Sequence, residues 1–190
     1  VFCLKSIFIF LMASCANGTP QEKIIESTKS EESKEIVVGA ERIEEYKSML
    51  LDKRVGVVGN QSSMLGKIHL VDTLLSLSIN VTKVFSPEHG FRGTADAGEH
   101  VKSEVDELTG LPLISLYGSN KKPSNEQLKG LDILIFDIQD VGVRFYTYIS
   151  TLHYVMEACA ENNIPLIVLD RPNPNGHYVD GPILELQFTS

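Results

Sequence analysis

Five short apolar runs punctuate the chain: RVGVVG (54–59), Val81 to Phe85, Leu111 to Leu116, Ile133 to Phe136, and Ile164 to Leu169. They are nearly continuous rather than alternating, as strands covered on both faces require. Between them the apolar spacing changes to that of helices. Residues 39–53 place Ile43, Tyr46, Met49 and Leu50 on one stripe, and 69–77 carry Leu70, Leu74, Leu75 and Leu77. A short helix is predicted over 124–128. Residues 148–162 form a longer one, with Ile149, Leu152, Val155, Met156 and Cys159 on one face. Strands alternating with helices predict βαβ units, a mostly parallel sheet and flanking helices, an α/β fold. Residues 90–110 (GFRGTADAGEHVKSEVDELTG) break the rhythm, with four glycines and many charges. A segment of this length with little to bury predicts a lid or rim over a cleft.

The run that organises the rest lies in LDILIFDIQDVGVRFYTY (131–148). Its apolar half stops at Phe136, and Asp137, Gln139, Asp140, Arg144, Tyr146 and Tyr148 follow around Gly142. Polar groups at the end of a buried strand are costly unless paired or used. Other runs end in the same way. Asn60-Gln61-Ser62-Ser63 follows the first, Ser86-Pro87-Glu88-His89-Gly90-Phe91-Arg92-Gly93 the second, and Asp170-Arg171-Pro172-Asn173-Pro174-Asn175-Gly176 the fifth. Ligands of open α/β sheets bind beyond the carboxyl ends of the strands, so these clusters converge on one edge. Each alone is also good turn chemistry. Four together point to a site.

Composition narrows what the site handles. The chain has 190 residues, 43% of them apolar and 22% charged, enough for one domain with a sizeable core. The formal charge is -8, with no basic block, which argues against nucleic acid as a partner. The three cysteines, Cys3, Cys15 and Cys159, form neither a disulfide framework nor a metal motif. Residues 1–15 (VFCLKSIFIFLMASC) read as an export signal of the lipoprotein type: one Lys, an apolar run too short to span a bilayer, then Ala-Ser-Cys. Cys15 is the candidate lipidation site, with a plain signal peptide as the alternative. The chain is thus expected to be exported, in the cell envelope, and tethered to a membrane through a lipid. Residues 16–37, rich in Ser, Thr, Glu and Lys, read as a disordered tether, which leaves 38–190 as the folded domain.

No glycine fingerprint follows the first strand and no P-loop is present, so a dinucleotide or nucleoside triphosphate is disfavoured and no cofactor is expected. His89 beside Glu88 lacks zinc-type company, and no metal is expected. No G-x-S-x-G elbow supplies a nucleophile. What remains is carboxylates with Arg, Asn, Gln and Tyr. That inventory suits a sugar, and paired carboxylates suit cleavage of a glycosidic bond.

SPEHGFRG (86–93), FDIQDVGVRFYTY (136–148) and DRPNPNG followed by GP (170–182) resemble the bacterial exo-β-N-acetylmuramidase family, long known only as a domain of unknown function. The resemblance runs from about Val37 to Glu185. It implies a Rossmann-like N-terminal catalytic domain, a smaller C-terminal domain that this chain stops short of, and an active site between them. The N-terminal domain is itself expected to be incomplete at its C-terminal end. The resemblance further implies a glycoside hydrolase that releases N-acetylmuramic acid from the non-reducing ends of peptidoglycan fragments in cell-wall turnover and recycling. The partners would be peptidoglycan-derived muramyl saccharides. Glu88 matches the glutamate to which the family's catalysis is assigned, which makes Glu88, between Pro87 and His89-Gly90, the candidate general acid, with Asp137 or Asp140 as the second charge that would raise its pKa. The competing reading of Glu88 is a turn cap bonded to backbone N–H groups. His89, Arg92, Asp137, Gln139, Asp140, Arg144, Tyr146, Asp170, Arg171, Asn173 and Asn175 fall in the family's cleft motifs, with Asn60 added from the strand-end pattern. Arg144, Arg171 and Arg92, in that order, are the candidates to grip the lactyl carboxylate of N-acetylmuramic acid. Retaining, inverting and substrate-assisted chemistry all stay open, since carboxylate spacing separates them. A surface protein that binds these sugars without cleaving them is the alternative function.

Overall fold

The computed structural model describes residues 36–93 and 104–188. The expected signal segment, Cys15 and most of the tether lie outside the described residues, as does the middle of the 90–110 segment.

The centre is strand β1 (Val55–Gly59), every residue of which is buried. The hairpin strands β2 (Met64–Leu65) and β3 (Ile68–His69) follow, then β4 (Val81–Ser86), β5 (Glu104–Val105), β6 (Pro112–Ser115), β7 (Ile133–Asp137) and β8 (Leu166–Val168). Six of them form one sheet in the order β5-β6-β4-β1-β7-β8, parallel throughout except for β5. The five parallel strands thus run outward in both directions from β1, so the chain reverses its winding between β1 and β7. That reversal opens a crevice at the carboxyl edge, the usual ligand position in such sheets. The register is uninterrupted there: Val55 pairs with Ile133, and Gly59 with Asp137. A Cβ at Gly56 would lie 2.4 Å from Leu134 Cδ1 and 2.8 Å from Leu131 Cδ1, so the two buried leucines would have to shift to admit a side chain.

The helices are α1 (Ile43–Leu50), α2 (Leu70–Ser76), α3 (Asn125–Leu128) and α4 (Tyr148–Asn162). Alternate sheet residues feed two cores. Val55, Val57, Val84, Ile133 and Ile135 pack with Tyr46, Leu50, Leu70 and Leu74 on one face. Val58, Phe85, Leu134 and Phe136 pack with Leu128, Val155, Ala158 and Cys159 on the other. A sheet covered on both faces is what apolar strands without alternation demand.

Two expectations are corrected, and three short strands join the expected elements. The first helix does not run from 39 to 53: a 3₁₀ turn over Gly39–Glu41 precedes it, with Arg42 outside helical geometry. Gly39 is held by Asp170, whose carbonyl accepts its N–H at 2.7 Å, and a side chain there would strike the end of β8. Helix α4 spans the expected residues, but its buried face is Tyr148, Thr151, Val155, Ala158 and Cys159, while Ile149 and Met156 are exposed. Helical spacing sets a stripe's width, not which overlapping stripe meets the sheet. The β2–β3 hairpin, turning at Gly66 with φ +57°, and the antiparallel strand β5 carry too few residues to be seen as runs.

Candidate active site

Four strand ends meet at the carboxyl edge, as the sequence pattern predicts. They divide into a buried floor of paired groups and a pocket with Glu88 at its wall.

The floor begins with Asn60, directly after β1. Its Oδ1 accepts the Ser62 N–H at 2.9 Å and the Ser62 hydroxyl at 2.6 Å, and its carbonyl faces His69 Nε2 at 2.9 Å. His69 Nδ1 accepts the Val71 N–H, so the ring caps α2 as the neutral Nε2–H tautomer. Burial lowers its pKa and favours that neutral form. Ser63 donates its hydroxyl to the Asp137 carbonyl. Asp137 is wholly buried. Arg171 Nε reaches its Oδ1 at 2.6 Å and Nη2 its Oδ2 at 3.0 Å, and Nη2 also donates to the Met64 carbonyl. Burial pushes the Asp137 carboxyl up, and the Arg171 guanidinium pulls it back. Asp137, expected as a second acid–base group, and Arg171, expected as a sugar ligand, are thus paired with each other through Nε and Nη2 of the guanidinium.

Arg92 is committed in the same way. Its three guanidinium nitrogens contact Asp106 and Asp72 at 2.9–3.0 Å, and its guanidinium carbon lies 4.8 Å from the centre of the Phe91 ring. The pair holds the Asp106 carboxyl down at about 2. Thr109 also donates its N–H and hydroxyl to Asp106. Arg92 thus clamps the two described ends of the 90–110 segment, with four of its five N–H groups on the carboxylates of Asp72 and Asp106. Whether that segment is a lid concerns residues 94–103, outside the described residues.

The turns after β7 and β8 fit into each other. Gln139 Nε2 donates to the carbonyls of Asp140 and Pro172, and Asn175 Nδ2 to that of Val141. Asn173 Oδ1 accepts the Asn175 N–H. Gly142, at φ +69°, leaves no room for a Cβ, which would sit 2.3 Å from Asn173 Nδ2. These amides, expected to bind sugar, hold the loops together. Asp140 Oδ2 accepts the Gly142 N–H, while its Oδ1 is buried without a hydrogen-bond partner. Arg144 is exposed and donates to the Pro182 carbonyl. The Asp170 side chain is exposed too, lining the grooves beside β8.

The pocket lies on the α4 side of the β4 end. Pro87, Glu88, Leu116, Tyr117, Lys121, Thr147, Thr151 and Tyr154 line a space of about 110 Å³. Pro87 holds the backbone before Glu88, and His89 and Gly90 both take left-handed geometry at φ +72° and +76°. Only a built turn holds a non-glycine residue there. Glu88 is half-buried, and Tyr117 hydrogen-bonds to its carboxylate, which pushes the Tyr117 phenol pKa up. Tyr146 and Tyr148 stand edge to face at 4.8 Å on the same side. Burial raises the Tyr148 phenol pKa first, then Tyr146, with Glu88 contributing, whereas Asn60 lowers it. Asn60 Nδ2 is buried with no hydrogen bond in good geometry. Two described buried polar atoms, Asn60 Nδ2 and Asp140 Oδ1, are thus left for a ligand or water.

Of the candidate residues, Glu88 alone is among those lining this pocket. Tyr117, Lys121, Thr151 and Tyr154 join it unannounced by the sequence. YGSNKK after β6 reads as an ordinary turn. The one available signal is Thr147, Thr151 and Tyr154, spaced to share one face at the start of α4. Among the described residues no group of three or more His, Cys, Asp or Glu side chains is placed to hold a metal ion.

Fold and site together define a Rossmann-like α/β domain with a ligand pocket at the carboxyl edge of its parallel sheet, beside the reversal in winding. Residues 55–190 match the family described as exo-beta-N-acetylmuramidase NamZ, N-terminal, and the chain belongs to that family. It is 45% identical to the peptidoglycan beta-N-acetylmuramidase NamZ of Bacillus subtilis (strain 168), an alignment covering 98% of this chain and 47% of the relative. Two crystal structures of DUF1343 family proteins from Bacteroides fragilis NCTC 9343 are also similar. BF0379 is 47% identical with a TM-score of 0.70, over 82% of this chain and 40% of that one. BF0371 is 42% identical with a TM-score of 0.70, over 80% and 39%. The chain spans about half the length of the curated relative and two fifths of each solved chain.

Proposed function

We propose that this domain belongs to an exo-β-N-acetylmuramidase that releases N-acetylmuramic acid from the non-reducing ends of peptidoglycan fragments during cell-wall turnover and recycling. The observation that carries the reading is the placing of Glu88: on a constrained turn at the carboxyl edge, at the wall of an aromatic-lined pocket, with Tyr117 bonded to its carboxylate. In the reaction Glu88 gives its proton to the glycosidic oxygen as the bond to the sugar's C1 breaks. The Tyr117 hydroxyl fixes the carboxyl's orientation and stabilises the carboxylate that forms. Tyr117 and Tyr154, which line the pocket, offer edges and faces on which a sugar ring packs. The Asp137–Arg171 pair holds the floor and does not transfer a proton. The segment over residues 1–15 and lipidation at Cys15 would place the protein in the cell envelope, on a membrane, facing its substrate.

Glu88→Gln keeps the shape and removes the acid. In the intact protein it should lower kcat by about 10²–10⁴-fold on muramyl substrates with poor leaving groups, the usual scale for acid–base catalysis. An activated aryl leaving group needs less protonation, so its rate should fall less. Full activity of the variant on a natural disaccharide would overturn the assignment. Binding of muramyl sugars with no turnover by the wild type would make this a binding protein instead.

A further inference from the structure

N-Acetylmuramic acid differs from N-acetylglucosamine by a carboxylate on its lactyl arm, so a selective site needs a cation near the reacting sugar. Two of the arginines expected to supply it are already paired with carboxylates, Arg171 with Asp137 and Arg92 with Asp72 and Asp106, and neither is among the residues lining the Glu88 pocket. Arg144 is exposed, but it is not among the residues lining the Glu88 pocket. Other cations near the sheet are engaged as well. Lys122 bridges to Glu157 at 3.0 Å and Glu161 at 2.8 Å on α4, and Lys83 donates to the carbonyls of Gln127 and Lys129.

Lys121 is different. It lines the same pocket as Glu88, Tyr117 and Tyr154, and it makes no hydrogen bond or ion pair among the described residues. Its neighbour explains how it is aimed. Lys122 is tied back to α4, and Asn120 Nδ2 donates to the Ser115 carbonyl at 2.6 Å. Both neighbours of Lys121 are thus engaged through their side chains, while the Lys121 side chain is exposed and lines the pocket. A lysine ammonium is a compact point charge on a flexible stem and can follow a carboxylate carried on a short arm.

Resting on the muramidase reading, we infer that Lys121 is the residue that recognises the substrate's carboxylate, and that the pocket between the β4 and β6 ends and α4 receives the carboxylate-bearing arm. Lys121 is then a specificity residue and takes no part in proton transfer.

The test is equilibrium binding by calorimetry of N-acetylmuramic acid and of N-acetylglucosamine to the intact protein at low salt. The wild type should prefer the muramyl sugar. Lys121→Met should weaken N-acetylmuramic acid about 10- to 100-fold, the scale of a hydrogen bond to a charged group, and leave N-acetylglucosamine unchanged. Lys121→Arg should keep most of the preference. Lys121 makes no contact that the fold needs, so the melting temperature of each variant should match the wild type. Three results would overturn the inference: no preference in the wild type, equal loss of both sugars in Lys121→Met, or loss of the preference in Arg144→Gln but not in Lys121→Met. Binding is read without turnover, so an active Glu88→Gln protein would defeat the catalytic reading while leaving this measurement intact.

Discussion

Replacing Arg171 by Met separates a structural from a substrate-binding arginine. Arg171 gives Asp137 two charge-assisted hydrogen bonds, 2.6 and 3.0 Å long, and ties Met64 to the same guanidinium at 3.0 Å. The side chains are 8% and 0% exposed, so water cannot replace the lost partner. Removing Arg171 leaves a carboxylate buried at the end of β7 without a counter-charge. Breaking a buried pair in this way costs about 3–5 kcal/mol. For a domain of this size that is a fall in Tm of about 6–20 °C, at roughly 2–4 °C per kcal/mol. The double variant Arg171→Met/Asp137→Leu should recover much of the loss, because an apolar pair of similar volume removes the stranded charge. Urea denaturation at pH 7, followed by circular dichroism on the wild type, both single variants (Arg171→Met and Asp137→Leu) and the double variant, closes the cycle. A single variant within about 1 kcal/mol of wild type would refute the buried pair, since that is the range of surface ion pairs. A variant with an unchanged midpoint and a raised KM would restore Arg171 to the substrate site.

The clamp at Asp106 predicts a pH dependence. Its folded pKa, about 2, lies below the ordinary carboxylate value, so its contribution to stability is full above about pH 4 and is lost as the pH falls towards 2. Amide exchange at residues 104–110 should accelerate in that window. Asp106→Asn should show the fast exchange already at pH 7; a variant that kept the wild-type profile would remove Asp106 as the cause. Cys15→Ala should move the protein from the membrane to the soluble fraction on cell fractionation. Unchanged partition would remove the lipid anchor from the proposal.

Periodicity determined which residues form the sheet and the large helices, because burying a strand on both faces or a helix on one demands apolar residues at set intervals whatever the partner. It also brought Asn60, Glu88, Asp137 and Arg171 to one edge, since every parallel strand of such a sheet ends on the same side. What the sequence could not show is who pairs with whom. Asp137 and Arg171 lie on different strand ends, as do Arg92 and Asp106 across the 90–110 segment, and only the register of β7 beside β1 and the close fit of the loops decide that these charges neutralise each other. An arginine written in a loop looks the same whether it waits for a substrate or closes a salt bridge. The same holds for Lys121: in YGSNKK it is one of two adjacent lysines, and only the packing of α4 takes Lys122 and leaves its neighbour at the pocket.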